Sequence, residues 1–231
     1  MLTGALGLLL LPPGGGCRPH PAASPPLLPR SSLLTYHLPV PLGLPRPPSL
    51  APGPRGRQAA DPAAGRARLV RLARAELGRP APGLGSLGAL AFVQRIYRAA
   101  GTPLATAELP DIPGLRTCLA TQGHLRGPRA PLPGDIAFFD QTHDANDNGE
   151  LDDPLTHVAL VERVEEDGTV HLIQAQQGRV GRLRLSLSQP HLRRAGDKEL
   201  NSYLRTPKRA DPERTPYLAG EMLAGFGTFL L

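Results

Sequence analysis

Alternation between apolar and polar residues is the clearest pattern in the second half of the chain. Between Val180 and Leu187, leucines alternate with arginine and serine, and between His157 and Val164 valine and leucine recur with a period of two. This period is typical of β-strands, and the pair Asp167-Gly168 predicts a tight turn within a hairpin. The predicted strands are residues 135–139, 157–164, 170–175 and 180–187. Together they form a four-stranded antiparallel meander.

Two helices with well-marked ends are predicted before the strands. Asp61 is suited to cap the first helix, Pro62 to its first turn, and Gly78 to its end. Ser86 is suited to cap the second helix, which the sequence ends at Gly101. Helices followed by a meander predict an α+β domain over residues 61–206.

The C-terminal tail, residues 207–231, is predicted to contain an amphipathic helix. Its apolar residues have a helix-compatible spacing: Leu218, Met222, Leu223, Phe226, Phe229 and Leu230. The segment is short for a membrane span, which needs about 20 apolar residues. Packing on the domain and contact with a partner or membrane surface are both open for this helix.

The N-terminal 60 residues carry targeting and linker features. Residues 1–17 hold a short apolar run without a basic start, which predicts a signal peptide or a lipoprotein signal. Cys17 follows three glycines and resembles the lipid-acceptor cysteine of bacterial lipoproteins. Residues 18–60 are rich in proline and lack a periodic apolar face, which predicts a disordered tether. We therefore expect a bacterial envelope protein, periplasmic or secreted, with a lipid anchor through Cys17 as one arrangement.

The net charge and the aromatic content of the chain indicate which partners to expect. Lysine and arginine number 26 against 20 aspartates and glutamates, which gives a net charge of +6. A basic envelope protein is attracted to anionic wall polymers. Aromatic residues make up only 4% of the chain, and the aromatic residues that stack on bases in nucleic-acid-binding proteins are therefore scarce. No nucleic-acid partner is expected.

Three segments in a fixed order resemble a known family. ALAFVQRIYRAAG resembles the nucleophile helix, usually Asp-Cys-Ser-Gly-Phe-Val, of the NlpC-type cell-wall endopeptidases and their CHAP relatives. LPGDIAFF resembles the first core strand of that family, and THVALVERV resembles the strand that begins with its catalytic histidine. The resemblance covers residues 66–188. It implies a papain-like fold, with helices packed on the meander, and peptidoglycan peptide or an envelope protein as partner.

The resemblance also implies where catalytic groups belong. The family's cysteine lies three residues before Phe92, where this chain has Ala89. The catalytic histidine falls on His157, and the polar group that orients it falls on Gln174. A methyl group cannot form the thiolate that this chemistry needs, so the sequence predicts a non-catalytic member that binds its ligand. The alternative is an active endopeptidase or amidase with an unrecognised nucleophile, although Cys118 is expected to be buried.

The loop 144–153 offers a separate chemistry. Asp144, Asn146 and Asn148 stand two residues apart before Gly149, as in loops that wrap oxygen ligands around calcium. The predicted ligands are Asp144, Asn146, Asn148, the Glu150 carbonyl and Asp152. The twelfth position holds Leu155 where an EF-hand has glutamate. A turn rich in aspartate and asparagine that binds no ion is the alternative.

Overall fold

The computed structural model describes residues 61–83, 85–102, 104, 109–122, 124–128 and 130–230. The predicted signal segment 1–17, Cys17 and the predicted tether 18–60 lie outside the described residues. The helices described are α1 (Pro62–Ala75), α2 (Gly85–Ala100) and α3 (Ile112–Thr121). The strands are β1 (Leu125–Arg126), β2 (Ile136–Phe139), β3 (His157–Val164), β4 (Thr169–Gln176), β5 (Arg179–Ser186), β6 (Arg194–Ala195), β7 (Lys198–Glu199) and β8 (Leu223–Gly227).

Both predicted helices are present, and the start of the first and the end of the second follow the expected chemistry. The Asp61 side chain accepts a hydrogen bond of 3.0 Å from the Ala63 amide, and Pro62 is the first residue of α1. Gly101 follows the last residue of α2 with a φ of +75°, a value that glycine adopts without steric cost. The two helices are confirmed, but α1 ends at Ala75 with Glu76 as its C-cap, so the predicted end at Gly78 is wrong.

The predicted meander is part of a larger sheet, in which it reaches from β2 to the edge strand β5. Strands β2, β3, β4 and β5 pair antiparallel in sequence order, and the full six-stranded order is β1-β8-β2-β3-β4-β5. Alternate strand residues enter two apolar clusters, one on each face of the sheet. Helices α1, α2 and α3 supply the first cluster, whereas Leu204, Ala219 and Met222 from the C-terminal segment supply the second. The α+β prediction is confirmed at this level.

The C-terminal segment departs from the prediction. Leu223–Gly227 is strand β8, inserted between β1 and β2, so the predicted amphipathic helix in the tail 207–231 is wrong. Gly225 adopts a φ of +146°, and Gly227 packs so closely that an added Cβ would lie 2.7 Å from a Leu119 methyl. Two glycines in five residues weaken a helix, and pairing with β2 favours the strand. The domain therefore extends beyond residue 206.

Within the described residues, we find no helix that combines the length and the apolar character needed to cross a membrane.

Candidate functional site: a neutral cleft beside His157

Two side chains on neighbouring strands form the centre of the site. His157 opens β3 and is 5% exposed, and its Nε2 lies 2.7 Å from Oε1 of Gln174 on β4. The Gln174 amide nitrogen donates to Gln176 Oε1 at 2.8 Å, and Gln176 in turn donates to the Leu204 carbonyl at 2.7 Å. This chain of amides fixes the Gln174 oxygen towards the histidine. The structure thus brings together the two residues that the resemblance singles out.

The protonation state of His157 follows from its burial. Desolvation lowers the pKa of His157 to about 4, against a smaller opposing effect of the Gln174 hydrogen bond and a further lowering by His143. The ring is therefore neutral at neutral pH. Since the Gln174 oxygen is an acceptor, His157 Nε2 carries the proton and Nδ1 keeps its lone pair.

A second histidine meets α2 at the same place. Ser86 lies in the first turn of α2, and its Oγ is 3.0 Å from His143 Nε2 and 2.7 Å from the Thr156 carbonyl oxygen. His143 Nδ1 lies 3.1 Å from Thr142 Oγ1. The expected capping role of Ser86 is wrong, because the residue lies inside the helix and its hydroxyl bonds to the loop before β3. Sequence reasoning missed the pair because the two residues are far apart in the chain.

These groups line a cleft of about 270 Å³. Its lining residues are Gly85, Ser86, Thr142, His143, His157, Ala175, Gln176, Gln177 and Leu204. The set contains no acid, lysine or arginine, and it offers hydroxyl, amide and imidazole groups beside apolar carbon. Such a lining is suited to the neutral donors and acceptors of a peptide backbone. The volume accommodates a short segment of a ligand.

Ala89 lies apart from this lining. It is completely buried in the cluster that joins α2 to the sheet, with Phe92 and Val158 among the members. Val158 of β3 and Ile173 of β4 pack in this cluster. Because neighbouring residues of a strand point to opposite faces of the sheet, His157 and Gln174 belong to the other face. A side chain in place of Gly88 would set its Cβ 2.4 Å from the Gly83 carbonyl oxygen. The chain before α2 therefore occupies the space in which the family's aspartate would stand.

Cys118 is a buried side chain of α3. It lies on α3, it is 2% exposed, and the Gln122 amide nitrogen approaches its Sγ at 3.3 Å. It is not among the residues that line the cleft. The expectation that this cysteine is buried is confirmed.

The oxygen-rich loop follows directly after His143. The Asp144 carboxylate accepts hydrogen bonds from the amides of Asn148 and Gly149, at 3.2 and 2.8 Å. Asn146 Oδ1 accepts from the Asn148 amide at 3.0 Å, and Asn148 Oδ1 accepts from the Glu150 amide at 2.7 Å. These contacts fold the loop into successive Asx turns.

Predicted ligands Glu150 and Asp152 are both exposed. In the described part of the chain, no group of three or more acidic, histidine or cysteine side chains is placed to hold a metal ion. The alternating oxygens suit calcium in type, and calcium binding by this loop stays a prediction.

Comparison with known proteins leaves the site to be interpreted on its own geometry. No family model, no curated protein and no solved structure matches this chain. The structure supplies a mixed helix and sheet fold, a histidine and glutamine in contact, and a neutral cleft beside them.

Proposed function

We propose that this chain is a cell-envelope protein on a papain-like scaffold of the NlpC and CHAP type, which binds a peptidoglycan peptide or an envelope partner. The cleft beside His157 is the proposed binding site. The protein lacks the cysteine reaction of the hydrolases that it resembles. Anchoring through Cys17 and a periplasmic or secreted location belong to the same proposal.

The observation that carries this proposal is the packing around Ala89. A cysteine nucleophile needs a reachable thiol beside the imidazole, and position 89 holds a methyl group that is 0% exposed. The close approach of Gly83 to Gly88 fills the neighbouring position with backbone. In contrast, the His157–Gln174 contact keeps the geometry that orients an imidazole. The histidine and the glutamine that orients it are therefore present, whereas position 89 has no thiol.

Binding follows from the chemistry of the lining. His157 is neutral, and Gln176 and Gln177 carry amides that both donate and accept hydrogen bonds. Peptide groups present the same two functions, so a peptide can satisfy the cleft without an ion pair. Leu204 and Ala175 add apolar contact.

The test combines binding with product analysis on the full chain. Isothermal titration calorimetry with purified muropeptides should detect binding, and mass spectrometry should detect no peptide released from intact peptidoglycan. We expect His157→Ala to weaken binding about tenfold, equivalent to about 1.4 kcal/mol. Gln189→Ala, which changes an exposed glutamine away from the cleft lining, is the matched control and should bind as the wild type does.

Two results would count against the proposal. Muropeptides that bind equally well to the wild type and to His157→Ala would remove the cleft as the binding site. Peptide release by the wild type would favour the alternative, an active endopeptidase or amidase. The observation that favours this alternative is the contact between Ser86 and His143.

A further inference from the structure

We infer that Ser86 and His143 form a nucleophile and its base, able to accept an acyl group from a ligand in the cleft. The inference rests on the proposed function, because it uses the same cleft, and it adds a reaction to binding. Ser86 Oγ lies 3.0 Å from His143 Nε2, which is within reach for proton transfer. Both residues line the cavity and are only partly buried, so a ligand can reach the hydroxyl.

The hydrogen bonds behind His143 favour the tautomer that a base requires. Thr142 Oγ1 donates to Thr156 Oγ1 at 2.9 Å and lies 3.1 Å from His143 Nδ1. Since a threonine hydroxyl has one proton, Thr142 Oγ1 accepts at its contact with the ring, and Nδ1 carries the imidazole proton. Nε2 then presents its lone pair to Ser86. Thr142 is a positioning residue for this base.

The second contact of Ser86 holds the hydroxyl in place. Ser86 Oγ donates its single hydroxyl proton to the Thr156 carbonyl oxygen at 2.7 Å, and rotation of this hydroxyl about its C–O bond turns the proton towards His143 Nε2 at 3.0 Å. Both acceptors lie on the segment that leads into β3, so they fix the Ser86 rotamer beside the cavity. A proton delivered to Nε2 leaves the Oγ lone pairs free to attack. His157 Nε2 contacts Gln174, and the imidazole in contact with Ser86 is that of His143.

The reaction is an acyl transfer to serine. Ser86 Oγ bonds to the carbonyl carbon of a bound ester while its proton moves to His143 Nε2. The tetrahedral intermediate collapses, the bond from carbon to the leaving oxygen breaks, and the leaving group takes the proton from His143. Water then attacks the acyl-serine with His143 as base, which releases a carboxylic acid and restores the hydroxyl.

Diisopropyl fluorophosphate tests this inference on the full chain without peptidoglycan. Ser86 Oγ should displace fluoride from phosphorus, and peptide mapping by mass spectrometry should find one diisopropylphosphoryl group on Ser86. Ser86→Ala should remain unlabelled. Ser188→Ala, which removes an exposed hydroxyl elsewhere, is the matched control and should be labelled as the wild type is.

His143 is tested by rate and by rescue. We expect His143→Ala to be labelled about 100-fold more slowly, and added imidazole to restore much of the rate, because general-base catalysis contributes on this scale. A purely structural histidine would not be replaced by free imidazole. Circular dichroism identifies variants that fail to fold, and for these Thr142→Val serves as the second variant, with slower labelling expected.

The outcomes separate this inference from the binding proposal. A folded wild type that binds muropeptides but takes no label at Ser86 overturns the serine pair and leaves binding intact. Label at Ser86 without muropeptide binding supports the pair and overturns the proposed ligand. Equal labelling rates in the wild type and in folded His143→Ala overturn the role of the histidine.

Discussion

Two buried polar regions of this molecule are built from different groups. The cluster around Asp135 is charged: this carboxylate is 0% exposed and accepts hydrogen bonds from Arg66 at 2.5 Å and from the Leu132 amide at 2.8 Å. The cleft beside His157 is neutral, and its hydrogen bonds join imidazole, amide and hydroxyl groups. Arg126 Nε lies 3.5 Å from the same Asp135 carboxylate without a hydrogen bond, and within the described residues the second region is the one whose polar groups line a cleft.

The charged cluster around Asp135 and the neutral cleft beside His157 are suited to different roles. Arg66 also donates to the Leu230 carbonyl at 2.8 Å, so one guanidinium ties α1 to the start of β2 and to the C-terminal segment. A closed ion pair of this kind holds elements together and has no site left for a ligand. In the cleft, the Nδ1 atom of His157 and the amides of Gln177 remain for other contacts. We therefore assign stability to the first region and binding to the second.

The largest expected effect breaks the charged region. Asp135→Ala leaves Arg66 without its buried partner, and we expect the free energy of unfolding to fall by about 3–5 kcal/mol. Asp167→Ala removes an exposed ion pair with Lys198 and should leave the unfolding transition nearly unchanged. Urea denaturation followed by circular dichroism measures both variants. If Asp135→Ala unfolded at the same urea concentration as Asp167→Ala, the cluster would not be a structural support.

The second-largest expected effect is a pH dependence of the stability that neutral His157 contributes. The pKa of His157 is about 4 in the folded chain and 6.5 in an exposed histidine. The unfolded state therefore binds the proton first, so the stability from neutral His157 is full above pH 6.5 and is lost as the pH falls towards 4. The loss is about 3 kcal/mol.

Comparison with His157→Gln isolates this contribution. The difference in unfolding free energy between the wild type and the variant should shrink between pH 7 and pH 4. His171 is also buried and has a lowered pKa, so His171→Gln is the matched control for titration at a different place. If the difference in unfolding free energy between the wild type and His157→Gln stayed constant from pH 7 to pH 4, His157 would not be buried in its neutral form.

Local patterns predicted much of the fold, whereas contacts between distant segments were missed. The meander and the two helices follow from periodicity and capping residues within each segment. Strand β8 does not, because its form depends on β1 and β2, which lie about 90 residues earlier in the chain. The glycines at positions 225 and 227 were the available signal against a helix.

The site divides in the same way. His157 and Gln174 could be named because the family resemblance implies a histidine and its orienting group at these positions, and the structure shows them in contact. Their family roles stay a prediction. The Ser86–His143 contact depends on the path of the loop between β2 and β3, which no local period describes. The sequence favours a helix cap for Ser86, and only its neighbours in space show its contact with His143.

A pair of cysteine variants sharpens the contrast between the cleft and the core. Ser86→Cys places a thiol in the cleft lining, whereas Ala89→Cys places one at a position that is 0% exposed. We expect iodoacetamide to alkylate the first at least about tenfold faster than the second, because access and thiolate formation govern the rate. Peptide mapping resolves each site, and buried Cys118 in the same chain is the internal reference. Faster alkylation at position 89 would place the family's nucleophile position in the cleft after all.

The smallest expected effect is the stabilisation of the fold by calcium. It would come from the loop 144–153, which follows the cleft residue His143 in the chain. If Asp144, Asn146 and Asn148 hold the ion, calcium at about ten times its dissociation constant stabilises the fold by about 1.4 kcal/mol. Differential scanning calorimetry with and without calcium on the order of 1 mM measures the rise in melting temperature. Asp144→Ala should abolish this rise.

The control must separate ion binding from the turn itself. Asp144 also accepts the amides of Asn148 and Gly149, so its removal lowers stability with or without calcium. The deciding quantity is therefore the increment caused by calcium, measured separately in each variant. Asp147→Asn removes the same charge from a position outside the alternating set and should keep most of the increment. If both variants lost the calcium increment equally, the increment would reflect the charge of the loop. If calcium caused no increment in the wild type, the loop would be a series of Asx turns that needs no ion.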